Sequence, residues 1–298
     1  MSSPAGGDFS MAEHRVVGIL YFLSGFLGIL GNILIISILR GENVLSGCRS
    51  KLHIQFAISN LLIVAGIPLS GSSAFAGRWL FGDIGCQFYG ALTYTGGMGA
   101  VTFAGLLCLQ RYFSSSLLNI YDMSSRSLIM CAIGWIYSFG IAISPVLGWN
   151  SYTIESSGTA CGLNWHKDDQ SHRSLFIALP VMSIVMFVIS LWALRVAFST
   201  KTPEKMDEKD WFTNHQLNWI ALANLFIVTV GFAPYGFFSL WALVNHGSEM
   251  TMLASVIPPV VAKLSTAVYP VVYIVASKNF RAEYAAKTVG ICYDKKAK

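Results

Sequence analysis

The stretch Val256-Ile257-Pro258-Pro259-Val260-Val261-Ala262-Lys263-Leu264-Ser265-Thr266-Ala267-Val268-Tyr269-Pro270 runs on into Val271-Val272-Tyr273-Ile274-Val275-Ala276. Lys263 is its one charged residue. An ammonium group at the centre of a membrane helix costs about 3 kcal/mol on insertion scales. Such a lysine needs a carboxylate partner, a neutral amine or a chemical conversion.

The composition makes the bilayer the relevant solvent. Hydrophobic residues make up 54% of the 298 and charged residues 12%, against roughly 25% charged in a soluble protein. Seven apolar runs approach the ~20 residues needed to cross a bilayer. They are Val16–Leu39, Leu52–Ala76, Cys86–Leu117, Ser127–Trp149, Leu175–Phe198, His215–Val244 and Met252–Ala276. No alternating ten-residue segments of the kind a membrane barrel requires are present. The expectation is an all-α, seven-transmembrane helix bundle occupying 1–298 as a single domain. Its tail is 1–15, its bundle 16–276, and 277–298 form a short amphipathic helix and tail.

Lys and Arg orient the bundle. With the N-terminus outside, the cytoplasmic side carries Arg40, Arg49, Lys51, Arg111, Arg126, Arg195, Lys201, Lys205, Lys209 and every basic residue from Lys278 onward. Only Arg15, Arg78, Lys167 and Arg173 stay outside, as the positive-inside rule requires. The net charge of +5 therefore reads as topology and implies no nucleic-acid partner. No apolar signal-peptide core precedes the first run, and no Asn-x-Ser/Thr sequon occurs. No catalytic triad or metal-ligand spacing stands out.

The segment after Ala276 is amphipathic and basic. It is expected to lie along the inner membrane face with Phe280, Tyr284 and Val289 toward lipid. Cys292 beyond it is a candidate for lipidation or a plain cytosolic thiol. Cys86 and Cys161 both fall outside, where a disulfide persists. A bridge between them would tie an outer loop to the top of the third helix.

A census of acids sharpens the lysine problem. Asp8, Glu13, Asp83, Glu155, Asp168, Asp169 and Glu249 lie outside; Glu42, Asp122, Glu204, Asp207, Glu208, Asp210, Glu283 and Asp294 lie inside. None is deep in a span, so any counterion must descend from an outer loop. Two readings of Lys263 remain open: a neutral structural amine, or a nucleophile that condenses with an aldehyde to a Schiff base.

Several motifs carry a family resemblance. They are Gly31-Asn32; Arg78-Trp-Leu-Phe-Gly-Asp-Ile-Gly-Cys86-Gln; Gln110-Arg111-Tyr112; Trp135; and Pro145-Val-Leu-Gly-Trp149-Asn-Ser-Tyr152. Gly158-Thr-Ala-Cys161-Gly-Leu-Asn-Trp165, Pro234-Tyr235, Lys263 in its stretch, Tyr269-Pro270-Val-Val-Tyr273 and Asn279-Phe280-Arg281 complete them. With seven spans, the chain resembles the rhodopsin-like opsins, and among them the group of retinochrome, peropsin and the retinal G protein-coupled receptor that acts as a photoisomerase. The resemblance implies retinal, all-trans in the dark, bound covalently to Lys263 as a Schiff base. It places Glu155 as the counterion. Tyr89 stands where visual opsins have their glutamate. Gly96, Gly97, Phe232, Tyr235 and Ala262 are the implied pocket residues, with Phe232 in place of a more usual tryptophan.

The same resemblance implies membrane lipid, a retinoid-carrier protein and a heterotrimeric G protein as partners, the last at Arg111 and Tyr112. Yet Gln110 replaces the usual acid before Arg111, Asn60 an aspartate, and Tyr269 an asparagine before Pro270. The pocket is kept better than the switch. This favours light-driven isomerisation of all-trans to 11-cis retinal over a light-activated signalling receptor. A light-independent receptor with a structural lysine is a third reading.

Overall fold

The computed structural model describes residues 9–41, 44–45, 49–115, 123–167, 169–200, 210–245 and 251–290. Its helices are α1 (Met11–Leu39), α2 (Ser50–Ala65), α3 (Ile67–Ala76), α4 (Gly82–Ser115), α5 (Met123–Ile143), α6 (Gln170–Ser199), α7 (Asn214–Val244), α8 (Met252–Ala276) and α9 (Lys278–Val289). Taking α2 and α3 as one span, seven are long and apolar enough to cross a membrane. Cys292 lies outside the described residues, as does the charged stretch 201–209.

Local chemistry sets most of the boundaries. α1 starts five residues before the first apolar run because Ser10 caps it. The Ser10 N–H donates to Glu13 Oε2 at 2.7 Å and Ser10 Oγ accepts from the Glu13 N–H at 3.3 Å, a reciprocal capping box. The second span is interrupted at Gly66, with a proline in the first turn of α3. α5 ends at Ile143, short of the expected Trp149. Pro145 disfavours helical backbone at the residue before it, and the chain closes a turn instead, the Trp149 N–H donating to Ser144 O at 2.9 Å.

The rim of the bundle is apolar. Ile177, Val181, Ile184 and Val188 along α6 are exposed, as are Phe26 and Ile136 on other helices. In water such a surface would aggregate; against lipid tails it needs no partner.

Between α5 and α6 the chain makes a short hairpin, β1 (Tyr152–Ile154) and β2 (Cys161–Leu163), antiparallel with Tyr152 opposite Leu163 and Ile154 opposite Cys161. It spans nothing, so the expectation of no membrane strands is undisturbed. The Cys86–Cys161 disulfide joins β2 to the start of α4, with Cα atoms 5.4 Å apart. Gln87 Nε2 adds a 3.0 Å hydrogen bond to Tyr152 O. The hairpin is thereby held against the lid end of the bundle.

At the other end, α9 departs from expectation. Phe280 is buried rather than turned to lipid, its ring centre 5.6 Å from Tyr273 and 5.7 Å from Phe212. Ser277 caps α9, accepting from the Phe280 N–H, and this directs the first turn of the helix into the bundle. Tyr284 is half-buried and Val289 exposed.

Candidate functional site

Lys263 sits midway along α8, 3% exposed. Its Nζ donates to Tyr89 Oη at 3.0 Å and lies 4.6 Å from the centre of the Tyr21 ring. A cation over an aromatic face is favoured by the ring quadrupole, more so when desolvated. The amine thus stands among phenols from α1 and α4.

The amine opens onto a cavity of about 350 Å³ bounded by α4, α6, α7, α8 and the hairpin. That is within the range of small-molecule sites, roughly 300–1,000 Å³. Of the residues expected to line it, Tyr89, Gly97, Phe232, Tyr235, Ala262 and Lys263 do. Gly97 is needed for closeness, since a Cβ there would sit 3.0 Å from the Phe232 ring. Gly96 does not line the cavity. A Cβ on it would sit 2.6 Å from the Ile63 backbone nitrogen and 2.8 Å from Ser59 O. Its task is to let α4 approach α2, because adjacent residues on a helix point about 100° apart.

Glu155 stands at the turn of the hairpin and is 5% exposed. Burial pushes its carboxyl up from the usual 4.5 to about 7, opposed by the nearby charge of Lys263. Among the described residues no ion pair closes between the two, and Glu155 Oε2 has no hydrogen-bond partner. The carboxyl is buried close enough to feel the charge of the amine without an ion pair to it.

The turn is built to hold it there. The Gly158 N–H donates to Glu155 O at 2.8 Å and the Glu155 N–H to Ala160 O at 3.0 Å. Gly158 has φ +66, a left-handed conformation that glycine adopts freely.

Two residues at this site were not singled out in the sequence: Tyr21, wholly buried on α1, and Thr159, wholly buried in the hairpin turn. An aromatic in an apolar run and a threonine in a loop give no signal of their own. Only the packing brings Tyr21 to the amine and Thr159 beside Tyr21.

The α9 end holds the residues expected to meet a G protein. Arg111 is 3% exposed. Its Nε donates to Asn218 Oδ1 at 2.8 Å and an Nη to Asn214 Oδ1 at 2.9 Å. Two amides from the first turns of α7 thus meet a guanidinium whose neighbour is Gln110, so it is neither at the surface nor among lipid head groups. Tyr112 packs on Trp192, ring centres 5.0 Å apart. Next to this, Asp210 and Arg49 form a buried ion pair at 3.0 Å. The Trp211 N–H donates to Val44 O, Ser277 Oγ donates to Trp211 O, and Gln216 Nε2 donates to Ala276 O.

The family described as 7 transmembrane receptor (rhodopsin family) matches residues 31–273. The chain belongs to that family. Among curated opsins, it is similar to the visual pigment-like receptor peropsin of Homo sapiens, 27% identical over 93% of this chain and 85% of the relative. It is equally similar to retinochrome of Todarodes pacificus, 27% identical over 88% of this chain and 90% of the relative. The crystal structure of squid rhodopsin superposes with a TM-score of 0.82 at 21% identity, covering 97% of this chain and 90% of that one. The rhodopsin-like fold and the resemblance to the peropsin and retinochrome group, both read from the sequence, agree with these findings.

Proposed function

We propose that this opsin-family protein binds retinal on Lys263 and that its output is photochemistry, the conversion of all-trans to 11-cis retinal. The observation that carries the reading is a buried primary amine at the wall of an apolar, aromatic cavity, with a buried carboxyl near enough to interact with its charge. The residues fit the group. An aldehyde suits the amine, the condensation releasing one water as the Schiff base forms. A polyene suits walls of Phe232, Tyr235 and Ala262. Bound there, retinal supplies the absorption of light and the double bond that rotates.

The chain's own part is to hold and to tune. Lys263 fixes the ligand end, and Gly97 with Phe232 sets the space beside it. Tyr89 lies within hydrogen-bond reach of the nitrogen. Glu155 supplies the negative charge that keeps a proton on that nitrogen, since an opposite charge favours the charged form. Similarity to peropsin and retinochrome supports the assignment.

The Lys and Arg asymmetry supports an orientation with the lid end outside or lumenal and α9 cytoplasmic. Membrane lipid then surrounds the rim, and a retinoid-carrier protein is the natural recipient of the isomer formed. Illumination of the purified protein with all-trans retinal, followed by extraction and separation of isomers, tests the reading. A single accumulating cis isomer is expected; the mixture that free retinal gives would overturn it.

The retention of Arg111 and Tyr112 favours a second reading, a light-activated receptor for a heterotrimeric G protein. A protein named G0-coupled rhodopsin, from Mizuhopecten yessoensis, is 25% identical over 91% of this chain. Light-dependent nucleotide exchange on a G protein is its measurement, and no exchange on any class tried sets it aside.

A further inference from the structure

Beside the lid hairpin a second cavity, of about 450 Å³, lies between α1, the hairpin turn and the residues before α4; His14, Arg78, Trp79 and Ser157 are in its wall. It is separate from the cavity at Lys263. His14 is buried and its Nδ1 has no partner among the described residues. Ser157 Oγ is 2.9 Å from Thr159 Oγ1. Thr159 faces the Tyr21 hydroxyl without closing a hydrogen bond to it. Tyr21 in turn lies under the Lys263 amine and near Glu155. Tyr21 Oη and Glu155 Oε2 are both unpartnered among the described residues.

These observations form a line. It starts in a cavity at the rim, passes two bonded hydroxyls and a phenol, and ends at the carboxylate and amine. Every buried polar atom along it that lacks a partner has reason to take one, because an unsatisfied buried group costs about 1–3 kcal/mol. Ordered water with several polar neighbours is the usual partner. Hydroxyls both donate and accept, so each can take one proton as it releases another, with no net change along the chain.

We propose that Ser157, Thr159 and Tyr21, completed by water, conduct protons between the rim cavity and the Lys263–Glu155 chamber. The path deepens the proposed site and rests on that reading for its use: it would supply and remove the proton on the Lys263 nitrogen. The path itself is a property of the chain. The ionisable groups that face its inner end are Lys263 from α8, Tyr21 from α1 and Tyr235 from α7, with Tyr89 of α4 on the amine.

Hydrogen–deuterium exchange of the protonated Glu155 carboxyl tests it, in protein without added retinal. The readout is the infrared carbonyl band that disappears in Glu155→Gln. Thr159→Val keeps the shape and deletes the hydroxyl; exchange should slow by about tenfold or more, given what positioned proton-transfer groups contribute. Thr159→Ser should restore it. Exchange of Thr159→Val at the unmodified rate would overturn the path. Should that variant not fold, Ser157→Ala at the rim carries the same expectation and the same refutation. Because no retinal is used, failure here is separate from failure of the isomer experiment.

Discussion

At the lid end of the bundle, an acid and a phenol near the amine stand without partners; at the α9 end the charged side chains are bonded to residues of other elements. Among the described residues, Tyr21 Oη and Glu155 Oε2 near the amine of Lys263 and His14 Nδ1 at the rim cavity stand unbonded. Arg111, Asp210 and Gln216 are bonded across α4, α7, α8 and the residues before α2, while Gln110 Nε2, Ser114 Oγ and Asn224 Oδ1, and deeper in the bundle Asn60 and Tyr269 Oη, are exceptions. Unmatched groups in a dry interior destabilise the fold unless something else completes them. The lid end therefore looks built to receive a ligand, water and protons. The α9 end is tied together by bonds between helices, Arg111 meeting the Asn218 and Asn214 amides of α7.

The largest expected effect falls on the lid end. Lys263→Ala should abolish the absorbance formed with retinal; a visible band that survives would place the attachment elsewhere. Glu155→Gln should come next, moving the band strongly toward the ultraviolet as the nitrogen loses its proton. An unchanged spectrum would give the counterion role to another group.

The same carboxyl predicts a pH dependence without ligand. Its value in the fold is about 7 against the usual 4.5, so the folded state holds the proton more tightly. Its contribution to stability is full below about 4.5 and lost as pH rises to about 7, by at most roughly 3 kcal/mol. Thermal unfolding in detergent should show that decline, and Glu155→Gln should flatten it.

The other end is expected to respond in stability alone. Asp210→Asn leaves the Arg49 charge short of its buried partner, which costs about 3–5 kcal/mol in such pairs. The melting temperature should fall while the absorbance stays in place; a spectral shift would mean that the two ends are coupled. Gly96→Ala should cost about 1–3 kcal/mol or more, because the added Cβ overpacks against the α2 backbone, again without a spectral change. A shifted band there would return Gly96 to the pocket wall.

Much of this was written in the chain. Seven apolar runs of membrane length specify seven helices, because a backbone in lipid must satisfy its own hydrogen bonds. A lone lysine in the last run, with every acid outside the spans, already pointed to a carboxylate lowered from a loop. Residue positions along a helix, however, do not say which face meets the cavity. Gly96 and Gly97 are adjacent in sequence and opposite in role. Phe280 reads as amphipathic surface yet packs on Tyr273.

What the sequence determined, then, is the class of fold, the odd amine and the pool of possible partners, since these follow from composition and spacing in an apolar solvent. What only the tertiary structure decided is who meets whom. Tyr21 of α1 meets the amine and Thr159 of the hairpin lies beside Tyr21, Glu155 is buried near the amine without an ion pair to it, and Arg111 meets two amides of α7. Those pairings depend on packing between helices remote in the chain, which no local pattern encodes.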